Sequence, residues 1–107
     1  MNAIVVLTTT SSLNAAKKIA AKAVEQNLAA CVQIVGPIQS VYRWKGNVEV
    51  DEEFRCEMKT VASIFPKLEA LIQEIHSYDT PEIISLPIQD ISDSYADWMA
   101  TCLEQPS

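Results

Sequence analysis

The stretch SVYRWKGNVEVDEEFRCEMKT, residues 40–60, decides the fold of this chain. Between Val48 and Lys59 apolar and polar side chains alternate almost strictly. Val48, Val50, Phe54, Cys56 and Met58 fall on one face, and Glu49, Asp51, Glu53, Arg55, Glu57 and Lys59 on the other. Only Glu52 interrupts the apolar set. A period of two is that of a half-buried strand. Gly46-Asn47 ahead of it is a two-residue hairpin signal, so residues 40–45 and 47–60 read as the arms of one long hairpin.

Upstream, AIVVLTTT (residues 3–10) is a continuous β-branched run, the mark of a strand covered on both faces. Ser11 and Ser12 offer N-cap hydroxyls to a helix whose stripe is Leu13, Ala16, Ile19, Ala20, Ala23 and Val24, with Asn27 as its left-handed stop. Residues 29–35 form a second strand, and Gly36-Pro37 interrupts it as a bulge or edge kink does. Downstream, residues 63–76 return to helical spacing and end at His76. Pro81 closes a loop, EIISLPI (82–88) is a further strand, and Tyr95, Trp98, Met99, Cys102 and Leu103 form the stripe of a last helix. Ser94 and Asp97 have capping-box spacing at its start.

The order β-α-β-β-α-β plus a terminal helix, joined by right-handed crossovers, is the ferredoxin-like α+β sandwich. No repeat, linker or low-complexity segment divides residues 1–107, so the chain is one domain. A strand over 48–60 spans about 40 Å, whereas a helix over 63–76 covers only about 21 Å. Half of the hairpin therefore overhangs its own helices while carrying Tyr42, Trp44, Val48 and Val50. An apolar overhang of that size calls for another chain, so a homo-oligomer built by sheet extension is expected.

Fourteen acids against eight Lys and Arg give a net charge of −6, which disfavours nucleic acid and anionic lipid as partners. The charge is uneven. Residues 68–107 hold eight acids (Glu69, Glu74, Asp79, Glu82, Asp90, Asp93, Asp97 and Glu104), one histidine and no Lys or Arg. That segment is either a solvated surface or a face that attracts cations. No apolar run is long enough to span a bilayer, and Met1 leads into AIVVL without a basic n-region, so no secretory leader is expected. Cys31, Cys56 and Cys102 are odd in number and far apart, which fits a reducing cytoplasm better than a disulfide framework.

Few residues are equipped for chemistry. His76 is either a C-terminal dipole partner of its helix or a metal ligand needing partners from elsewhere. Cys56 and Cys102 lie on apolar stripes and read as core; Cys31 is the thiol best placed to act as a thiolate ligand. Glu49, Asp51, Glu52 and Glu53 make an acidic patch beside the turn. Tyr42 and Trp44 read as interface anchors rather than a base-stacking platform. No nucleophile motif and no glycine-rich phosphate loop are present, so an enzyme is not expected.

Taken together, LAACVQIVGPIQSVYRWKGNVEVDEEFRCEMKT, HSYDTPEIISLPI and the terminal YADWM resemble the CutA (divalent-cation tolerance) family from first strand to last helix. The resemblance implies a trimer of ferredoxin-like protomers in the cytoplasm that binds copper and other divalent cations. The family's copper ligands fall at His76, Glu53 and Thr8, and Thr8 supplies no soft ligand. Ser77 stands where a proline is usual, no glycine follows Ile88, and the ACV match at Ala30, Cys31 and Val32 leaves Cys31 as a second candidate. The expected function is metal-ion tolerance through a non-enzymatic homotrimer needing no cofactor beyond Cu(II) or another divalent cation. The alternative is a regulatory or scaffold trimer, akin to signal-transduction trimers, with a small metabolite in its inter-subunit clefts.

Overall fold

In a computed structural model of the chain, which describes residues 1–103, the β-branched run forms β1 (Ala3–Thr10). It is followed by α1 (Leu13–Glu25), β2 (Cys31–Trp44), β3 (Asn47–Val61), a 3-10 turn (Ala62–Ile64), α2 (Phe65–Ile75), β4 (Ile84–Pro87) and α3 (Asp93–Cys102). The four strands make one antiparallel sheet in the order β2-β3-β1-β4, the expected ferredoxin-like topology with an added C-terminal helix. Glu104, counted in the acidic segment, lies outside the described residues.

The pleat sorts the side chains. Val6, Thr8, Cys56, Met58 and Thr60 are wholly buried on one face, against Ala16 and Ile19 of α1 and Leu68 and Ile72 of α2. The Cys56 thiol reaches the Ala16 carbonyl at 3.6 Å, which fixes α1 over β3. Burying each large apolar side chain in this layer contributes about 1.5–3 kcal/mol. Thr8 and Thr60 bring hydroxyls into it that find no hydrogen-bond partner among the described residues.

Helix ends follow local chemistry with one correction. Ser12 caps α1 by accepting from the Ala15 N–H, and Asn27 ends it with φ 58°. For α3 the cap is Ser92, which accepts from the Tyr95 N–H, rather than Ser94; the helix begins two residues earlier than the capping-box spacing places it. Its apolar stripe is also split. Met99 and Leu103 enter the core, while Tyr95 and Trp98 stay exposed and pack on each other.

The hairpin is longer and more continuous than its sequence suggests. Residues 31–44 form a single strand, and Gly36-Pro37 is a bulge within it, where the register slips between Val35 and Ile38. The peptide bond between Gly36 and Pro37 is cis. The turn is Lys45-Gly46, one residue before Gly46-Asn47, because Trp44 pairs with Asn47. Lys45 (φ 50°) and Gly46 (φ 83°) are both left-handed, as a tight turn matched to strand twist requires. The tip projects past the helices. Val41, Val48 and Val50 are more than half exposed there although they lie on the helix-facing side, and the molecule extends to 45 × 27 × 22 Å.

Candidate functional site

The opposite face of the sheet carries Glu53. Alternation puts this carboxylate on the polar side of β3, and the structure agrees; yet the residue is only 8% exposed. The cover comes from the loop after α2. The Tyr78 hydroxyl donates to Glu53 Oε2 at 2.8 Å, across 25 positions of sequence. Burial first, and the Glu53 hydrogen bond second, push the Tyr78 phenol up to about 12.

His76 fixes that loop. It ends α2, its own N–H bonding to the Ile72 carbonyl at 2.8 Å. The imidazole Nε2 donates to the Thr9 carbonyl at 2.8 Å, while Nδ1 accepts from the Tyr78 N–H at 3.0 Å. Those partners set the tautomer of the neutral ring: one nitrogen must carry the proton, the other the lone pair. The Thr9 carbonyl is available because β4 accompanies β1 only as far as Leu7↔Ile84. The rings of His76 and Tyr78 meet in a tilted contact, centroids 4.7 Å apart and planes at 48°. A chain of contacts thus runs from β1 through His76 and Tyr78 to Glu53.

Between this loop and the projecting half of the hairpin lies a cleft of about 570 Å³. Tyr42, Trp44 and Tyr78 supply aromatic walls, and Glu53, Asp79 and Glu82 supply carboxylates. Thr9, Ser40 and Thr80 add hydroxyls, and among the described residues no Lys, Arg or His lines it. The Tyr42 hydroxyl donates to Asp51, a bond that pushes its phenol up to about 12.

The residues singled out from sequence are only partly gathered. Glu53 and His76 are joined through Tyr78. Cys31 is half-buried at the start of β2, opposite Lys59, whereas Glu53 pairs with Ile38 seven positions along, roughly 20 Å away at strand rise. Thr8 points to the helix side, with Cys56, away from Glu53. Among the described residues no three His, Cys, Asp or Glu side chains group closely enough to hold a metal ion. Sequence reasoning missed Tyr78 and Thr9, and counted Asp79 and Glu82 only as part of the acidic segment. They lie in a loop and at a strand end, where no periodicity assigns a face.

A family model described as the CutA1 divalent ion tolerance protein matches residues 4–102. The divalent-cation tolerance protein CutA of Thermus thermophilus is 44% identical over 95 residues, covering 89% of this chain and 92% of that protein. The chloroplastic protein CutA of Arabidopsis thaliana is also 44% identical over 96 residues, covering 90% of this chain but 53% of that protein. The chain thus spans about half the length of this plant relative and of the human protein CutA. Among solved structures, CutA1 from Oryza sativa superposes with a TM-score of 0.96 at 36% identity, covering 99% of this chain and 97% of that one. The Thermus thermophilus divalent cation tolerance protein gives 0.92 at 41% identity, over 95% and 99% of the two chains.

Proposed function

This chain belongs to the CutA1 family of divalent ion tolerance proteins, and on that premise we propose that it acts in metal tolerance by binding the divalent cation itself, copper foremost. The observation that carries the reading is the cleft wall: Glu53, Asp79 and Glu82 face one space with no positive side chain among them. Opposed carboxylates with no cation of their own concentrate positive ions. His76 supplies the imidazole, Glu53 a carboxylate oxygen, and Cys31 serves as a separate thiolate. For His76 to ligate, Tyr78 must turn its N–H away from Nδ1. Giving up that bond costs about 1 kcal/mol, little against a copper–imidazole bond.

The protein works as a homotrimer. Its sheet has two unlike edges, β2 and β4, and pairing the β2 edge of one copy with the β4 edge of the next is a head-to-tail contact, the kind that forms a ring when its rotation closes. Val41, Trp44 and Val48 on the hairpin, and Ile84 and Leu86 on β4, are between 46% and 63% exposed in the protomer and await such cover. Binding rather than catalysis is the mode, since no nucleophile motif accompanies the one histidine. Three free thiols suit the reducing cytoplasm. Among the described residues no helix is long and apolar enough to cross a membrane.

The test is native mass spectrometry with metal analysis of untagged protein, followed by Cu(II) titration of the wild type and of His76→Ala and Glu53→Gln. A trimer whose copper affinity falls at least tenfold in each variant supports the reading. Unchanged affinity in His76→Ala removes His76 from the site.

A further inference from the structure

We infer that Tyr78 gates the candidate metal site: its backbone bars the ligating nitrogen of His76, and its hydroxyl is latched to Glu53. The inference rests on the reading of His76 and Glu53 as ligands and adds what controls their access.

The bar is the Tyr78 N–H, which donates to His76 Nδ1 at 3.0 Å. A neutral imidazole nitrogen of this kind has one lone pair, so a cation and that N–H exclude each other. The other ring nitrogen is not an alternative. Nε2 donates to the Thr9 carbonyl at 2.8 Å, beyond the last β1–β4 pair, Leu7↔Ile84. A backbone acceptor on the remote nitrogen is the usual support of a ligating histidine, and it keeps the ring in place when Tyr78 leaves.

The latch is the Tyr78 hydroxyl. It donates to Glu53 Oε2 at 2.8 Å and is bonded to the Ser11 side chain as well. Glu53 has lone pairs to spare, so this bond does not block the carboxylate; it holds residue 78, and therefore its N–H, against the imidazole. Little else does so. Among the described residues, backbone–backbone hydrogen bonds outside the regular elements pass from His76, on the Ile72 carbonyl, to Ile88, on the Ala3 carbonyl, with none from residues 77–83 between them. All these contacts lie within one protomer, and none uses the projecting hairpin residues 41–48.

A brace and a gate predict opposite signs. If Tyr78 merely braced His76, loosening it would disorder the imidazole and weaken metal binding. As a gate, it holds a closed arrangement that binding must give up, so removing the latch favours the cation.

The experiment is a Cu(II) titration of wild type and Tyr78→Phe in the native assembly, with nitrogen-15 label in histidine alone. Because His76 is the one histidine, the isotope changes the Cu(II) EPR spectrum only when that ring is a ligand. Tyr78→Phe is expected to bind Cu(II) at His76 about tenfold more tightly, equivalent to about 1.4 kcal/mol, although it unfolds at lower urea concentration. Should Tyr78→Phe fail to fold, Ser11→Ala, at an exposed position, weakens the same latch and is expected to tighten binding about twofold or more. Equal or weaker binding in the folded variant, with the histidine signature retained, overturns the gate and leaves His76 a ligand. A wild-type spectrum indifferent to the isotope removes His76 from the site, and the gate with it.

Discussion

Replacing Tyr78 by Phe removes one oxygen, which interacts with Glu53 and with the Ser11 side chain. The hydroxyl donates to Glu53 Oε2 at 2.8 Å, and Glu53 is 8% exposed with no other hydrogen bond from the described residues. Hydrogen bonds to charged groups contribute about 1.5–3 kcal/mol, and an abandoned buried acceptor costs a similar amount. Tyr78→Phe is therefore expected to destabilise the protein by about 2 kcal/mol, since the ring and the Tyr78 N–H to His76 are retained. Glu53→Gln keeps an acceptor but removes the charge, and the double variant loses the pair only once. A coupling energy of about 1 kcal/mol is expected from the cycle, within the range for residues in direct contact.

Urea unfolding at one fixed protomer concentration measures the cycle, because assembly makes apparent stability concentration-dependent. A second readout is the tyrosinate absorbance. Tyr78 titrates near 12 because of burial first and the Glu53 contact second, so Glu53→Gln lowers that value without restoring the ordinary 10. The folded pKa lies above the unfolded one, hence this stabilisation is complete below about pH 10 and disappears as pH climbs through about 12. Single variants that add without coupling, or a Tyr78 titration unmoved by Glu53→Gln, would falsify the bridge between loop and hairpin.

Gly36→Ala places a methyl group against the Phe54 ring, 3.1 Å from Cγ and Cε2 and closer still to Cδ2, so a loss of about 1–3 kcal/mol in denaturant stability is expected, relieved in Gly36→Ala with Phe54→Leu. Cys56 is wholly buried with its thiol pushed up to about 11 by that burial, and Cys31 and Cys102 are half-buried. A thiol reagent on native protein should label Cys31 and Cys102 before Cys56, as read by peptide mass spectrometry; early Cys56 labelling contradicts the packing of α1 on β3. Val48→Lys alters a side chain 62% exposed in the protomer, so it should change protomer stability by less than about 0.5 kcal/mol yet shift the native mass spectrum from trimer to monomer.

Much of the fold is legible in the alternation of β3, because Cys56, Met58 and Thr60 bury their side chains where a period of two demands. The Lys45-Gly46 turn was one residue out of reach, since Gly-Asn and Lys-Gly both satisfy a tight turn and only strand pairing chooses between them. Ser92 and Ser94 pose the same ambiguity for α3, two caps within one helical turn. The site was harder to read. Glu53 has a face that sequence assigns and a burial that it does not, because its cover is supplied by a loop residue 25 positions away. The position of His76 follows from helical spacing, but its two ring bonds follow from where β4 stops.

The acidic C-terminal segment looks different once folded. Its charge is not one field: of its described acids only Asp79 and Glu82 reach the cleft, and the third carboxylate there, Glu53, comes from the hairpin. Net charge alone points to the last forty residues; topology gathers the carboxylates of the cleft where that segment meets β3. The meeting depends on the His76 ring holding Tyr78 against Glu53, so the residue assigned to metal binding is also the residue that shapes the cleft. Ligation by His76 and closure of the cleft by Tyr78 draw on the same Nδ1 lone pair. A cation taken by that nitrogen releases Tyr78, and with it the donor that stabilises Glu53. A cation bound at Nδ1 would therefore be coupled to the Tyr78–Glu53 contact, and by linkage each would weaken the other by the same factor.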